Sequence, residues 1–263
     1  MIIELDRLKL YAATGGQPLR RDRPLALFLH GAGMDHSVWT LAARYLAHHE
    51  CCVLAVDLPG HGRSEGPALE SIAAMADWAW RLLGHLELER AALIGHSMGA
   101  LVSVEMARTA PGRAAKIMLV GFAPRMPVHQ ELLDAARFHD PKAAALIADW
   151  GFGAAGHLGG NRAPGVAMQP LGLRLIERAP AGTLYADLAA CNAYRDAEGA
   201  AIHCPVLLLQ GEADRMTSAK AAAAFVEKLA HGEIRILPDV GHMVMSEAPL
   251  AVTAALREFI LTP

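Results

Sequence analysis

The sequence predicts an α/β fold, a doubly wound and mostly parallel sheet carrying a helical cap insertion, on three observations. Short apolar runs alternate in order with helix-length amphipathic stretches. The runs are nearly continuous in apolar residues, as strands covered by helices on both faces require. The rhythm fails in one long stretch, from about Pro124 to Ala200, where no clear buried strand is visible.

Leu25–Leu29, Cys52–Val56, Ala91–Ile94, Lys116–Val120 and Pro205–Leu209 read as buried strands, with Glu233–Leu237 as a further one. Ile2 to Ala12 is expected to supply an antiparallel edge hairpin with the segment after it. Helices are expected over Val38–His49, Glu70–Leu86, Met98–Ala110, Ser218–Ala230 and Glu247–Leu261. The third stops before Pro111-Gly112, and Pro249 falls in the first turn of the last, where its missing N–H is tolerated. Beyond Pro124, helical patches at Glu131–Arg137, Ala143–Trp150 and Leu184–Tyr194 flank glycine-rich loops at Gly151–Gly156 and Gly159–Gly165. The expected organisation is a core of residues 1–123 and 201–263 interrupted by a helical cap, residues 124–200. Ligands of a doubly wound sheet gather at the carboxyl ends of its strands, so such an insertion is placed to roof the site.

Composition narrows the classes of function. The 263 residues suffice for one large domain, and 53% hydrophobic against 19% charged residues excludes a disordered chain. A net charge of −3 leaves no basic footprint for nucleic acid. No apolar run approaches the roughly 18–20 residues of a membrane span, so no membrane partner is expected. The N-terminus lacks a basic region followed by an apolar stretch, so a leaderless, cytoplasmic protein is expected. Cys51, Cys52, Cys191 and Cys204 lack C-x-x-C spacing and read as small buried hydrophobes. His129, His139, Asp140 and His157 are scattered without ligand spacing, so no metal and no cofactor are expected. The expected partner is a small-molecule substrate, with a homodimer left open.

The chemistry is carried by Gly95-His96-Ser97-Met98-Gly99, set between a buried strand and a helix pattern. This is the setting of a nucleophile elbow, a strand-to-helix turn so tight that serine adopts strained angles and glycine is needed on either side. The turn lifts the Ser97 hydroxyl clear of the sheet and aims a helix N-terminus at the reacting carbon. The Met98 amide can then serve an oxyanion hole, with a second donor expected from the loop His30-Gly31-Ala32-Gly33, at the Ala32 amide. A serine hydroxyl needs a base. His242 lies between the last strand and the last helix, at the same sheet edge as Ser97, whereas His30 and His61 sit inside glycine-rich turns and read as loop-organising. His96 should point away from the reacting centre. The base needs an orienting acid, and Asp214 lies just past strand Pro205–Leu209 at that edge. The end of the strand before the cap, Gly121-Phe122-Ala123, carries no carboxylate, and Glu212 reads as a solvated turn residue. Trp39, Phe122, Trp150, Met216 and Met243 are candidate substrate contacts, joined by Met98 and Phe152. A methionine-rich apolar lining suits an uncharged or acyl-like ligand.

Leu29–Gly33, Asp57-Leu-Pro-Gly-His-Gly-Arg-Ser64, Gly95–Gly99, Gly211–Asp214 and Gly241-His242 resemble the ordered landmarks of the α/β-hydrolase superfamily. The resemblance spans nearly the whole chain apart from the cap. It implies the α/β-hydrolase fold with a Ser97–His242–Asp214 triad, and a structural loop from Asp57 to Ser64. It is a poor guide to substrate, because esterases, lactonases, amidases, carbon–carbon bond hydrolases and cofactor-free haloperoxidases share these motifs. The expected activity is that of a serine hydrolase cleaving an ester-like acyl bond of a small, largely apolar substrate through an acyl-enzyme. The alternatives are a carbon–carbon bond hydrolase, perhydrolase or lyase with the same triad, or a hydrolase-fold ligand receptor.

Overall fold

A computed structural model of the chain describes residues 1–157, 167–195 and 202–261; the loop expected at Gly159–Gly165 lies outside them. Eight strands form one sheet: β1 (Ile2–Leu5), β2 (Leu8–Ala13), β3 (Leu25–Leu29), β4 (Cys52–Val56), β5 (Ala91–His96), β6 (Ala114–Val120), β7 (Val206–Gly211) and β8 (Gly232–Leu237). They lie in the order β1-β2-β4-β3-β5-β6-β7-β8. From β4 to β8 every pairing is parallel.

The antiparallel edge differs in detail from the expectation. The hairpin closes within residues 2–13, pairing Leu5 with Leu8 across Asp6 and Arg7, whose φ angles are 53° and 67°. Two successive positive φ values give a tight turn whose twist matches the strands it joins. β2 then pairs antiparallel with β4.

Alternate residues of the parallel strands serve two apolar layers, which is why their sequences are continuously hydrophobic. Leu27, Leu29, Leu54 and Leu208 pack with α2 (Ile72–His85), α3 (Met98–Thr109) and α8 (Ala219–Val226) on one face. Ala26, Phe28, Val53 and Leu207 pack with α1 (Thr40–Ala47) and α10 (Pro249–Ile260) on the other. Two expected helices are divided. Val38–His49 becomes a 3₁₀ turn, His36–Trp39, capped by Asp35, and then α1. Glu247–Leu261 becomes α9 (Val244–Glu247) and α10, because Pro249 drives Ala248 out of helical angles, to φ −133° and ψ 53°.

Between β6 and β7 the described chain runs through α4 (Gln130–Arg137), α5 (Lys142–Gly151), a 3₁₀ turn (Ala154–Gly156), α6 (Met168–Glu177) and α7 (Thr183–Ala193). α6 escaped sequence reading because Pro170 and Gly172 interrupt its pattern. Pro170 sits in the first turn, where no intrahelical N–H is required. Gly172 allows close approach: a Cβ there would stand 2.6 Å from the Phe152 ring. Leu132, Ile147, Phe152 and Ile176 form a small core of the insertion, seated on Met34 and Met243 from the loops after β3 and β8. No helix among the described residues is long and apolar enough to cross a membrane.

Candidate active site

Ser97 stands between β5 and α3 with φ 51° and ψ −114°, a left-handed conformation costly for any residue but glycine. Its neighbours leave no alternative. A Cβ at position 95 would lie 2.1 Å from the Gly99 carbonyl oxygen, and one at 99 would lie 2.3 Å from that of Leu29. The Ser97 amide donates to the Val120 carbonyl at 3.0 Å, fastening the turn to the end of β6.

His242 is 2% exposed, and its Nδ1–H donates to Asp214 Oδ2 at 2.8 Å. The ring rests against Gly121, whose φ is +58° and where a Cβ would stand 2.9 Å from Nδ1. The position after β6 therefore lacks a side chain because the imidazole occupies that space. Asp214 Oδ1 accepts from the amides of Met216 and Thr217, both at 2.8 Å, and Oδ2 also accepts from Thr217 Oγ1 at 2.6 Å and Gln210 Nε2 at 2.8 Å. Burial alone would raise the Asp214 pKa. The charge of His242 and the donated hydrogen bonds outweigh it, holding the carboxyl well below the usual carboxylate range.

Gln210 was not singled out from sequence, although a polar residue ending the apolar run Val206-Leu-Leu-Leu209 is a visible signal. Fully buried, it bridges Asp214 and the Phe122 amide, which donates to its Oε1 at 3.2 Å. Glu247 was also passed over. Its Oε1 accepts from the Gly241 amide at 3.0 Å and its Oε2 from the Gly153 amide at 2.9 Å, joining the His242 loop to the insertion.

The other histidines near this edge have separate duties. His96 Nε2–H donates to the His242 carbonyl at 3.1 Å, while Nδ1 is buried without a partner. Burial, then the charge of His242, pushes its pKa down to about 3. His30 donates from Nδ1 to the Gly31 carbonyl at 2.9 Å and accepts at Nε2 from the Leu58 amide at 3.2 Å, which defines a neutral tautomer. Asp57 organises its loop, accepting from the His36 amide at 2.7 Å, His36 Nδ1 at 2.8 Å and the Arg63 amide at 2.9 Å.

A cavity of about 160 Å³ opens over Ser97 and His242 and is lined by Ala32, Trp150 and Met216 among the expected residues. The insertion adds Met126, Val128, Leu132, Ile147 and Leu188. Several candidate contacts lie elsewhere. Trp39 is fully buried at the opposite layer with its ring 5.3 Å from that of Phe28. Phe122 stacks edge-on to Phe225 at 4.8 Å, because successive residues leaving a strand point to opposite sides and Gly121 takes the side of His242. Met243 is packed in the insertion core, where Gly151 lies beside it, and Phe152 is packed there too. The Met98 side chain is buried in the main core.

The chain matches the family model of the alpha/beta hydrolase family across residues 26–256, and it belongs to that family of hydrolytic enzymes. It is 25% identical over 246 residues to (E)-2-((N-methylformamido)methylene)succinate hydrolase of Acinetobacter baylyi, covering 91% of this chain and 90% of that protein. It is 30% identical over 263 residues to the dihydrolipoyllysine-residue acetyltransferase component of the acetoin cleaving system of Pseudomonas putida, covering 94% of this chain and 64% of that one. Among solved structures, the enol-lactonase from Burkholderia xenovorans LB400 matches with a TM-score of 0.86 at 22% identity over 100% of both chains. A thermophilic esterase from Thermogutta terrifontis matches with a TM-score of 0.83 at 24% identity over 98% of this chain and 96% of that one. At such identities the likeness to these structures is one of fold.

Proposed function

We propose that the protein is a serine esterase acting on small acyl substrates. The observation that carries this is a single cavity shared by Ser97, His242 and an apolar wall from the insertion, with His242 held by Asp214 at 2.8 Å. About 160 Å³ is well below the roughly 300–1,000 Å³ of drug-sized ligand pockets, which favours a short acyl chain.

In this reading Ser97 Oγ attacks the ester carbonyl and His242 Nε2 takes its proton, Nδ1 being engaged by Asp214. The Met98 and Ala32 amides receive the oxyanion, the former with the dipole of α3 behind it. Asp214 stays ionised and stabilises the imidazolium, in keeping with its depressed pKa. His242 returns the proton to the departing alcohol. It then deprotonates a water that attacks the acyl-enzyme, and collapse releases the acid and frees Ser97.

The test is hydrolysis of p-nitrophenyl butyrate by the wild type and by Ser97→Ala, with fluorophosphonate labelling of the wild type. The expected outcome is loss of at least about a thousandfold in kcat for the variant, with the label on Ser97. Equal rates, or a label elsewhere, overturn the reading.

A further inference from the structure

Among the described residues, no carboxylate lines the cavity over Ser97, and Arg215 carries the only permanent charge in that lining. A cationic site in a chain of net charge −3 is not an average property of the surface. The other strong side-chain donors in the lining, the triad aside, are Thr217, His129 and the Trp150 indole. Thr217 is engaged, donating to Asp214 at 2.6 Å. Arg215 is carried on a constrained loop. The amides of Met216 and Thr217 both bond Asp214 Oδ1, so the backbone bearing the guanidinium is wound round the carboxylate that orients His242.

Arg215 Nη1 lies 3.9 Å from Asp149 Oδ2 of α5, with the two side chains 60% and 54% exposed. That is the outer limit of an ion pair, and a solvated pair of this kind contributes little. The guanidinium is therefore weakly committed, belongs to a residue of the cavity lining, and has the planar fork that binds a carboxylate through two hydrogen bonds. Its counter-charge sits on the insertion, one residue before Trp150 of the cavity wall.

We propose that Arg215 is the anion-recognition group of the acyl subsite. The substrate is a small ester whose acyl chain ends in a carboxylate, its apolar spacer lying along Val128, Ile147 and Leu188. The substrate carboxylate displaces Asp149 from Arg215, and Asp149 sets how strongly anions are favoured. This rests on the esterase reading above.

The experiment compares monomethyl glutarate with methyl 5-methylhexanoate, in which an isopropyl group replaces the carboxylate, by pH-stat titration of released acid. The ratio of kcat/KM, anionic over neutral, is expected to exceed one in the wild type and to shrink with added salt. It should fall ~3- to 10-fold in Arg215→Gln, be partly kept in Arg215→Lys, and rise in Asp149→Asn. Both substituted positions carry exposed side chains, so folding is not at issue. A wild-type ratio of one or less, or one unchanged by Arg215→Gln, overturns the subsite. If p-nitrophenyl butyrate turnover is still abolished by Ser97→Ala, the esterase reading survives that result. Turnover indifferent to Ser97→Ala overturns both.

Discussion

Removing one carboxylate in the insertion is expected to slow chemistry that the carboxylate never touches. Asp187 of α7 is fully buried, and its Oδ2 accepts from His61 Nε2 at 2.7 Å and from the Gly33 amide at 2.8 Å. His61 Nδ1 lies 3.0 Å from the Pro59 carbonyl. The Pro59 carbonyl can only accept, and a carboxylate at Asp187 also accepts, so the geometry suits a ring that donates from both nitrogens. Burial is the largest single influence on His61 and lowers its pKa, but the charge and hydrogen bond of Asp187 win and the net shift is upward. In Asp187→Ala two buried donors lose their acceptor and a buried cation loses its counter-charge, a change that costs about 3–5 kcal/mol. One term offsets this. Asp187 Oδ1 is buried with no partner, a standing penalty of about 1–3 kcal/mol that departs with the carboxylate. About 2 kcal/mol, the difference of the two mid-values, is therefore expected. A raised histidine pKa contributes stability that is complete below the unfolded value of 6.5 and is lost as pH rises through the folded one, so the cost should be larger at pH 6 than at pH 9. Gly33 follows Ala32, so a loosened loop should also lower kcat, on the order of tenfold, with KM moving less. Urea unfolding at both pH values and turnover at saturating p-nitrophenyl butyrate measure the two effects. A stability loss under about 1 kcal/mol would show that the pair is idle. A normal kcat in a clearly destabilised variant would show that the loop does not depend on Asp187.

Acid should weaken the fold through two other histidines. His30 and His96 are pushed down to about 4 and about 3, by burial first and then by a neighbouring histidine, from 6.5. A depressed pKa contributes stability that is present above 6.5 and lost as pH falls toward the folded values. At pH 5 each histidine then costs about 2 kcal/mol, partly offset by His61, and the urea midpoint should drop between pH 7 and pH 5. A flat midpoint would contradict this. Phe122→Ala removes a buried ring packed on Phe225 and should cost about 3–5 kcal/mol, while the kcat/KM ratio of p-nitrophenyl acetate to hexanoate stays as in the wild type. A shifted ratio would return Phe122 to the cavity wall.

The parallel core could be read from sequence because its strands obey one rule. β3 and β4 lie where their apolar runs begin and end, each residue facing a helix layer on one side or the other. Ser97, His242 and Asp214 were legible because each follows a strand, and chain direction alone puts them at one sheet edge. The cavity wall had no such rule. Phe122 follows the strand before the cap and Trp39 could close a roof, but one residue along a strand end or a turn reverses the side on which a ring lies. Ile147 and Trp150 share a face of α5 at a spacing of three, yet nothing in that pattern tells which face meets the core. Helix phase in the insertion is decided by contacts distant in sequence, such as Gly172 against Phe152.

α7 joins the two kinds of information. Leu188 and Cys191 face the cavity, while Asp187 holds Gly33 and Thr183 Oγ1 donates to the Gly60 carbonyl at 3.0 Å. One helix thus supplies wall to the cavity over Ser97 and anchors two loops of the core, one of them bearing the Ala32 amide. Glu247 does the same from the opposite side, tying Gly153 to the loop of His242. A segment held at both of these loops cannot swing as a free lid without loosening the loops that flank Ser97 and His242. Grafting a foreign insertion to change substrate choice should therefore fail in kcat unless the graft restores a carboxylate at position 187 and an amide donor for Glu247.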